Sequence, residues 1–167
     1  MIEELKKNIE EFIEGSHSLF ISNELSSEKK EFKKKYNSLI KKEVNDKSGV
    51  YIWENPDTKE IIYIGMAGRI NNKGELKSHS LVKRLQASRG KNNKGKYVQT
   101  NSFIFGLLND PKKLFMKTVD EKLKPIREIK INIYYSKQNI PSTYLESILL
   151  YQYFIRCKKL PILNNSF

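Results

Sequence analysis

The segment 48–65 constrains the fold of this chain most, because it has the pattern of a β-hairpin. Its two arms, GVYIW at 49–53 and IIYI at 61–64, are rich in the β-branched and aromatic residues that favour strands. The residues NPD at 55–57 are typical of a turn. We therefore expect two antiparallel strands joined by this turn.

Two tyrosines occupy comparable places in the hairpin, one on each arm. Because side chains alternate between the two faces of a strand, Tyr51 is expected on the same face as Trp53. Tyr63 is likewise expected on the face opposite to Ile62 and Ile64. Two phenol groups would then line one surface of the sheet.

The composition is strongly basic, and this bears on the partner. The 167 residues include 31 Lys and Arg against 19 Asp and Glu, which gives a formal net charge of +12. Such an excess favours a polyanionic partner such as nucleic acid. The alternative is that part of the excess reflects a biased coding composition, because Lys, Asn and Ile are all abundant.

The cysteine content and the apolar runs indicate the compartment. A single cysteine, Cys157, excludes an internal disulfide framework and a Cys-rich zinc site, and it fits a reducing environment. The most apolar run, at 148–155, contains Gln152 and is too short for a bilayer span. The N-terminus lacks a signal-peptide pattern. We therefore expect a soluble cytoplasmic protein without a membrane partner.

The first 45 residues have helical patterns. Apolar residues recur at helical spacing over residues 2–14, and Ser26 and Ser27 precede a second, basic helical segment. Residues 1–45 are therefore predicted to form a helical arm, packed on the core or on a second subunit. The lysines of the second helix either contact phosphate or form a solvated face: Lys33, Lys34, Lys35, Lys41 and Lys42.

Further elements follow the hairpin. Residues 81–85 and 103–108 have the apolar spacing of short helices, and residues 126–135 alternate as a third, half-exposed strand. Pro141 then precedes a long apolar helix from Tyr144 to about Lys158. Within the second predicted unit, 46–167, the polar segments at about 66–80 and 89–100 have the composition of loops. The expected fold class is α/β (α+β), with a small three-stranded antiparallel sheet flanked by helices.

Glu146 is the most informative single residue, because its place on the last predicted helix is apolar. Its neighbours at helical spacing are Leu149, Leu150 and Tyr153. An unpaired carboxylate in such surroundings costs several kcal/mol unless a cation or strong donors meet it. Two partners are open: an Arg or Lys in a structural pair, or a divalent metal ion.

Arg84 is the second candidate. It lies beside the apolar pair Leu81 and Leu85 on a short basic helix, so its guanidinium is expected along the edge of the core. A guanidinium in that position suits a phosphate oxygen, and the alternative is an arginine that extends from the core edge into water.

These elements together resemble the GIY-YIG nuclease family. The two tripeptides that name the family correspond here to Gly49-Val50-Tyr51 and Tyr63-Ile64-Gly65, in the same order. Eleven residues separate the two tyrosines. A helix with LVKRL at 81–85, a glutamate on an apolar helix and the segment PILN ending at Asn164 follow in the family order. The resemblance spans residues 49–164, which is most of the chain outside the arm.

The resemblance implies metal-dependent cleavage of phosphodiester bonds in DNA and assigns a role to each matched residue. Glu146 would hold a single divalent ion, Mg²⁺ or Mn²⁺, and Arg84 would stabilise negative charge on the scissile phosphate. Tyr51 and Tyr63 would position or deprotonate the attacking water. Asn164 would brace the site from the C-terminal segment.

The sequence departs from the family pattern after the arginine. Many members have His or Tyr within a turn of the arginine, whereas Leu85, Gln86, Ala87 and Ser88 follow Arg84 here. The segments at about 66–80 and 89–100 also resemble insertions, which in such enzymes can carry base recognition. The cations expected to contact DNA lie in or near them: Arg69, Lys83, Arg89, Lys91, Lys94 and Lys96.

The leading functional hypothesis is a free-standing, site-specific DNA endonuclease of restriction type. A palindromic site would call for a homodimer. The alternatives are a repair, mobile-element or branched-DNA nuclease of the same family, and a catalytically silent nucleic-acid-binding module. The complete set of matched residues argues against the silent module.

Overall fold

The computed structural model describes residues 1–77, 80–91, 95–111 and 124–164, with backbone only for 76–77 and 88–91. Its helices are α1 (Ile2–Lys7), α2 (Lys29–Glu43), α3 (Leu81–Gln86), α4 (Thr100–Asn109) and α5 (Ser142–Cys157), with a 3₁₀ turn at Glu10–Phe12. Its strands are β1 (Ile13–Ser22), β2 (Gly49–Glu54), β3 (Ile61–Ala67), β4 (Arg69–Ile70), β5 (Leu76–Lys77), β6 (Ser88–Lys91), β7 (Tyr97–Gln99) and β8 (Glu128–Ser136). The chain is therefore of the α+β class.

The main sheet has four antiparallel strands in the order β1-β8-β2-β3. The predicted hairpin is confirmed as β2 and β3, and the predicted third strand is confirmed as β8. The expectation of three strands is wrong, because β1 pairs along the outer side of β8 from Ile13 to Ser22.

Strand β1 also corrects the expectation of a wholly helical arm. The second predicted helix is confirmed as α2, but α1 ends at Lys7 and the chain is extended from Ile13 onwards. Only Leu19 and Ile21 of β1 are buried, and polar residues fill most of its other positions. The apolar alternation is therefore too short to distinguish β1 from a polar connection in the sequence.

Both faces of the central strands are covered by helices. On the first face, Tyr51, Trp53 and Tyr63 share a core with residues of α2, α3 and α4. On the second face, Val50 and Ile52 share a core with residues of α1 and α5. Strand β8 is therefore buried on both faces, and the expectation that it is half exposed is wrong.

The register of the hairpin contains a bulge. Trp53 pairs with Tyr63, but Glu54 pairs with Ile61, so Ile62 lies in a β-bulge. Ile62 consequently packs in the first-face core together with Tyr63, and the expectation that they lie on opposite faces is wrong.

The remaining elements agree with the predicted helices and differ from the predicted loops. The short helices are confirmed as α3 and α4, and the long one as α5. The segment expected as a loop at 66–80 instead contains the small hairpin β4–β5, and the segment at 89–100 contains most of the ribbon β6–β7. Among the described residues, no helix has the length and apolarity needed to cross a bilayer.

The assignment of β1 to the sheet predicts opposite responses at two neighbouring positions. Ile21 is fully buried, so Ile21→Ala should lower the free energy of unfolding by about 2–4 kcal/mol. Phe20 is 54% exposed, so Phe20→Ala should change it by less than about 1 kcal/mol. Chemical denaturation of both variants measures this difference, and equal losses would contradict the alternation of β1.

Candidate active site

Helix α3 has only six residues, so its position depends on contacts at both ends. At the N-terminus, the Ser80 hydroxyl accepts a hydrogen bond from the Lys83 backbone N–H at 3.3 Å. At the C-terminus, the buried Tyr36 of α2 donates its hydroxyl hydrogen to the Leu85 carbonyl at 3.0 Å. The backbone N–H and the hydroxyl of Thr100 both donate to the Ala87 carbonyl. These contacts fix the turn that carries Arg84.

The guanidinium of Arg84 lies with the two tyrosines of the hairpin. Tyr51 and Tyr63 are buried on the first face, and their ring centroids are 5.9 Å apart. Burial by itself lowers the pKa of Arg84, but charge and hydrogen-bond interactions with the hydroxyls of Tyr51 and Tyr63 outweigh it and raise the pKa. Arg84 is therefore held as a cation against two phenol oxygens.

Gly65 provides the space for this arrangement. It pairs with Tyr51 across the hairpin, and a Cβ atom there would lie 2.5 Å from Tyr63 Cε1 and 2.7 Å from the Tyr51 hydroxyl. The two rings thus occupy the volume that a side chain at position 65 would need. The sequence analysis placed Gly65 in a family tripeptide but did not predict this role.

Glu146 reaches the same region from the other side of the sheet. It lies one turn into α5, whose first residue, Ser142, is beside Gly68 just after β3. Burial raises the pKa of the Glu146 carboxyl above its ordinary value of 4.5, although the positive charges of Arg84 and then Arg69 act to lower it. The carboxylate and both guanidinium groups therefore share one electrostatic environment.

The contacts of the Glu146 carboxylate bear on what it can bind. Within the described part of the chain, it accepts no hydrogen bond and forms no ion pair. The structural ion pair considered from the sequence is thus not observed there. A partly desolvated carboxylate near two arginines is instead available to an added ligand.

The donor set fits a hard cation that keeps much of its water. Among the described residues, no group of three or more His, Cys, Asp or Glu side chains could enclose a metal ion. Mg²⁺ often binds through one or two carboxylates together with substrate phosphates and retains several water molecules, so a single carboxylate such as Glu146 is compatible with this ion.

Asn164 acts on the backbone of β3. Its Oδ1 accepts a hydrogen bond from the Ile64 N–H at 2.9 Å, and its Nδ2 donates to the Ile64 carbonyl at 2.8 Å. Leu163 N–H also donates to the Ile62 carbonyl. The C-terminal segment thus closes the free edge of β3 and holds the strand that carries Tyr63 and Gly65.

The cations predicted to bind DNA fall into two groups. Arg69, Lys83 and Lys96 are exposed, with Arg69 near Glu146 and Lys83 next to Arg84 on α3. Lys94 lies outside the described residues, as do the side chains of Arg89 and Lys91.

Four predicted residues, Tyr51, Tyr63, Arg84 and Glu146, converge at the end of β3, and Arg69 joins them. Asn164 supports the strand from its outer edge.

The contacts of Tyr36 and Thr100 that hold α3 were not predicted. They are hydrogen bonds to carbonyl groups of residues far away in the sequence, and such bonds leave no local pattern. Chemically, two guanidinium groups beside a carboxylate can bind a phosphate and a cation together.

Comparisons of the chain with protein-family models, curated proteins and solved structures found no match. The functional argument therefore depends on the motifs and on the geometry of the site.

Gly65→Ala tests the packing of the two phenols. The added methyl group overlaps both rings, so we expect a loss of about 1–3 kcal/mol in the free energy of unfolding and a changed near-ultraviolet tyrosine spectrum. Gly15→Ala in β1 is the matched control, because a Cβ there meets only Tyr135 Cδ2, at 3.8 Å. An unchanged spectrum for Gly65→Ala would contradict the close approach.

Glu146→Gln tests the desolvated carboxylate through pH. A carboxyl whose pKa is higher in the folded chain binds its proton more tightly there, so stability falls as pH rises from 4.5 to the raised pKa. The variant should therefore unfold at higher denaturant concentration than the wild type at neutral pH, with no difference well below pH 4.5. Glu24→Gln, at an exposed position, is the control for removal of one carboxylate. A less stable Glu146→Gln variant at neutral pH would mean that the carboxylate has a stabilising partner.

Proposed function

We propose that this protein is a metal-dependent, site-specific DNA endonuclease of the GIY-YIG type, similar to a restriction enzyme. The observation that carries the proposal is the convergence of Arg84, Tyr51, Tyr63 and Glu146 from three different segments on the end of β3. Charge and hydrogen-bonding groups of these types are what phosphodiester hydrolysis requires.

In hydrolysis, a water oxygen bonds to phosphorus, the bond to the leaving sugar oxygen breaks, and the water gives up a proton. Negative charge increases on the phosphate oxygens during this step, and the fixed guanidinium of Arg84 stabilises it. Removal of one such preorganised donor typically slows a reaction about 10²–10³-fold. The rigid contacts of α3 keep Arg84 in place and limit reorganisation.

The phenol groups of Tyr51 and Tyr63 contact the guanidinium of Arg84. Their hydroxyls interact with Arg84, and these contacts orient the guanidinium. In the proposed mechanism, Tyr51 first gives its own proton to solvent and, as the phenolate, takes the proton of the attacking water, while the leaving sugar oxygen takes a proton from solvent. Tyr63 maintains the position of Arg84.

Glu146 would hold one Mg²⁺ or Mn²⁺ ion, which when bound supplies Lewis-acid stabilisation of the phosphate and the leaving oxygen. Among the residues that the structure describes, this carboxylate has no hydrogen-bond or ion-pair partner, which supports that role. It also argues against a silent DNA-binding module, which gains nothing from a desolvated carboxylate near the DNA phosphates.

The charge distribution suits DNA. The chain has a net charge of +12, and exposed Lys83 and Arg69 lie next to the proposed catalytic groups. Contacts of this kind neutralise backbone phosphates and make binding weaken steeply with salt.

Incubation with plasmid and phage DNA, with Mg²⁺ or with a chelator, tests the proposal. Discrete fragments that require Mg²⁺ would support a restriction-type enzyme. A smear or a nick confined to branched DNA would favour the repair or mobile-element alternative. Binding without cleavage in Mg²⁺ or Mn²⁺ would overturn the assignment as an enzyme.

Tyr51→Phe provides the sharpest variant, because it removes one hydroxyl and leaves the ring. We expect cleavage to fall by at least about 10²-fold while DNA binding in a gel-shift assay is retained. Tyr134→Phe is the matched control, since Tyr134 is also a buried strand tyrosine but lies in the second-face core. Cleavage by Tyr51→Phe within tenfold of the wild-type rate would exclude this phenol from the mechanism.

A further inference from the structure

A cleft opens at the start of β2 and the end of β8, beside the candidate active site. Its volume is about 310 Å³, at the lower end of the roughly 300–1,000 Å³ of ligand pockets, so it suits a small group and not a large cofactor. The cleft, here called the serine-lysine cleft, is lined in part by three serines and three lysines: Ser48, Ser80, Ser136, Lys47, Lys83 and Lys137.

The formal charges of the cleft favour a single anion. Three ammonium groups line it together with two carboxylates, those of Glu14 and Asp46, which leaves one positive charge in excess. The Lys47 ammonium is paired with Glu14, whereas the Lys137 ammonium donates to the Glu11 carbonyl at 2.8 Å and keeps its charge uncompensated. A phosphodiester group carries one negative charge and would neutralise this excess.

Two hydroxyl groups can supply hydrogen bonds to the same ligand. Ser136 is only 8% exposed, yet within the described residues its hydroxyl has no hydrogen-bond partner. The same is true of the half-buried Ser48, which lies on the same wall because the Ser136 N–H donates to the Ser48 carbonyl at 3.1 Å. Buried polar groups normally have partners, so these hydroxyls indicate a ligand that accepts hydrogen bonds.

The cleft lies close to the groups of the candidate active site. Gly68, which precedes Arg69, lies against Ser48, since a Cβ atom at position 68 would be 2.5 Å from the Ser48 hydroxyl oxygen. Lys83 directly precedes Arg84 on α3.

The sheet sets the distance between the cleft and the end of β3. Gly49 at the start of β2 pairs with Ala67 of β3 on one side and with Tyr135 of β8 on the other. Neighbouring strands are about 4.8 Å apart, so the start of β2 and the end of β8 lie about 5 and 10 Å from the end of β3. Because a DNA strand rises about 3.4 Å per nucleotide, this distance corresponds to about one to three nucleotides.

We propose that the serine-lysine cleft binds a second backbone phosphate of the DNA substrate, about one to three nucleotides from the scissile phosphate. The proposal rests on the proposed function for the identity of the ligand. The ammonium groups of Lys83 and Lys137 neutralise this phosphate, and the hydroxyls of Ser48 and Ser136 donate to its oxygens. A phosphate held here fixes the strand, so that the next phosphates along it are presented to Arg84 in one register.

The salt dependence of DNA binding tests the charge of the cleft. A fluorescent duplex of random sequence is titrated by anisotropy at several KCl concentrations, with a chelator present to prevent cleavage. Each neutralised phosphate contributes about −0.9 to the slope of log K against log salt, so Lys137→Gln should make the slope less steep by about that amount. Lys59→Gln is the matched control, because Lys59 is exposed in the turn at the opposite end of the hairpin and should not change the slope.

The hydroxyl groups are tested at constant charge. Ser136→Ala should weaken binding of the same duplex about fivefold and leave the salt slope unchanged, because a hydrogen bond is lost and no charge is removed. Ser18→Ala is the control, since its hydroxyl lies outside the cleft on β1 and donates to Asn132 at 2.9 Å. Unfolding curves establish that each variant is folded.

A neutral backbone linkage locates the bound phosphate. On a duplex whose cut position has been mapped, a single methylphosphonate replaces each of the three nearest phosphates on either side of the cut in turn. One of these replacements should lower kcat/KM of the wild type as much as Lys137→Gln does. It should lower kcat/KM of Lys137→Gln no further, because both changes remove the same contact.

Three results would overturn the proposal: a wild-type salt slope for Lys137→Gln, wild-type affinity for Ser136→Ala, and losses that add for Lys137→Gln and every neutral linkage. The last would mean that the cleft takes a free or terminal phosphate and not an internal one. Failure of the proposed function is distinguishable from these results. DNA binding without cleavage, with the slope reduced by Lys137→Gln and not by Lys59→Gln, would reject the nuclease and retain the cleft, whereas cleavage with unchanged slopes would do the reverse.

Discussion

Burial of β2 and β8 on both faces is the constraint on which the rest of the structure depends. Helices must cover both sides of the sheet, so α3 and α5 are separated by its thickness. Side chains from the two layers can therefore meet only beyond the ends of the strands or around an edge of the sheet. The end of β3, at Ala67, is such a place, and there Arg84 from one layer approaches Glu146 from the other. The location of the candidate site thus follows from the layering.

The site is maintained at a cost in local stability. Partial burial of Arg84 and Glu146 removes solvation from both charges, and no direct ion pair among the described residues compensates the carboxylate. The surrounding contacts offset this cost: the Tyr36 hydroxyl at α3, the carboxamide of Asn164 at β3, and the two apolar cores. Such a division, with desolvated charges at the site and packing around it, is expected of preorganised sites.

The sequence was sufficient for the elements with strong periodicity. The alternation of β2, β3 and β8 and the apolar spacing of α5 predicted these elements, and the order of the motifs predicted which side chains converge. Strand β1 was missed because only Leu19 and Ile21 carry its signal, and the bulge at Ile62 was missed because register depends on pairing between strands. The contacts of Tyr36 and Asn164 are long-range hydrogen bonds, which no local pattern encodes.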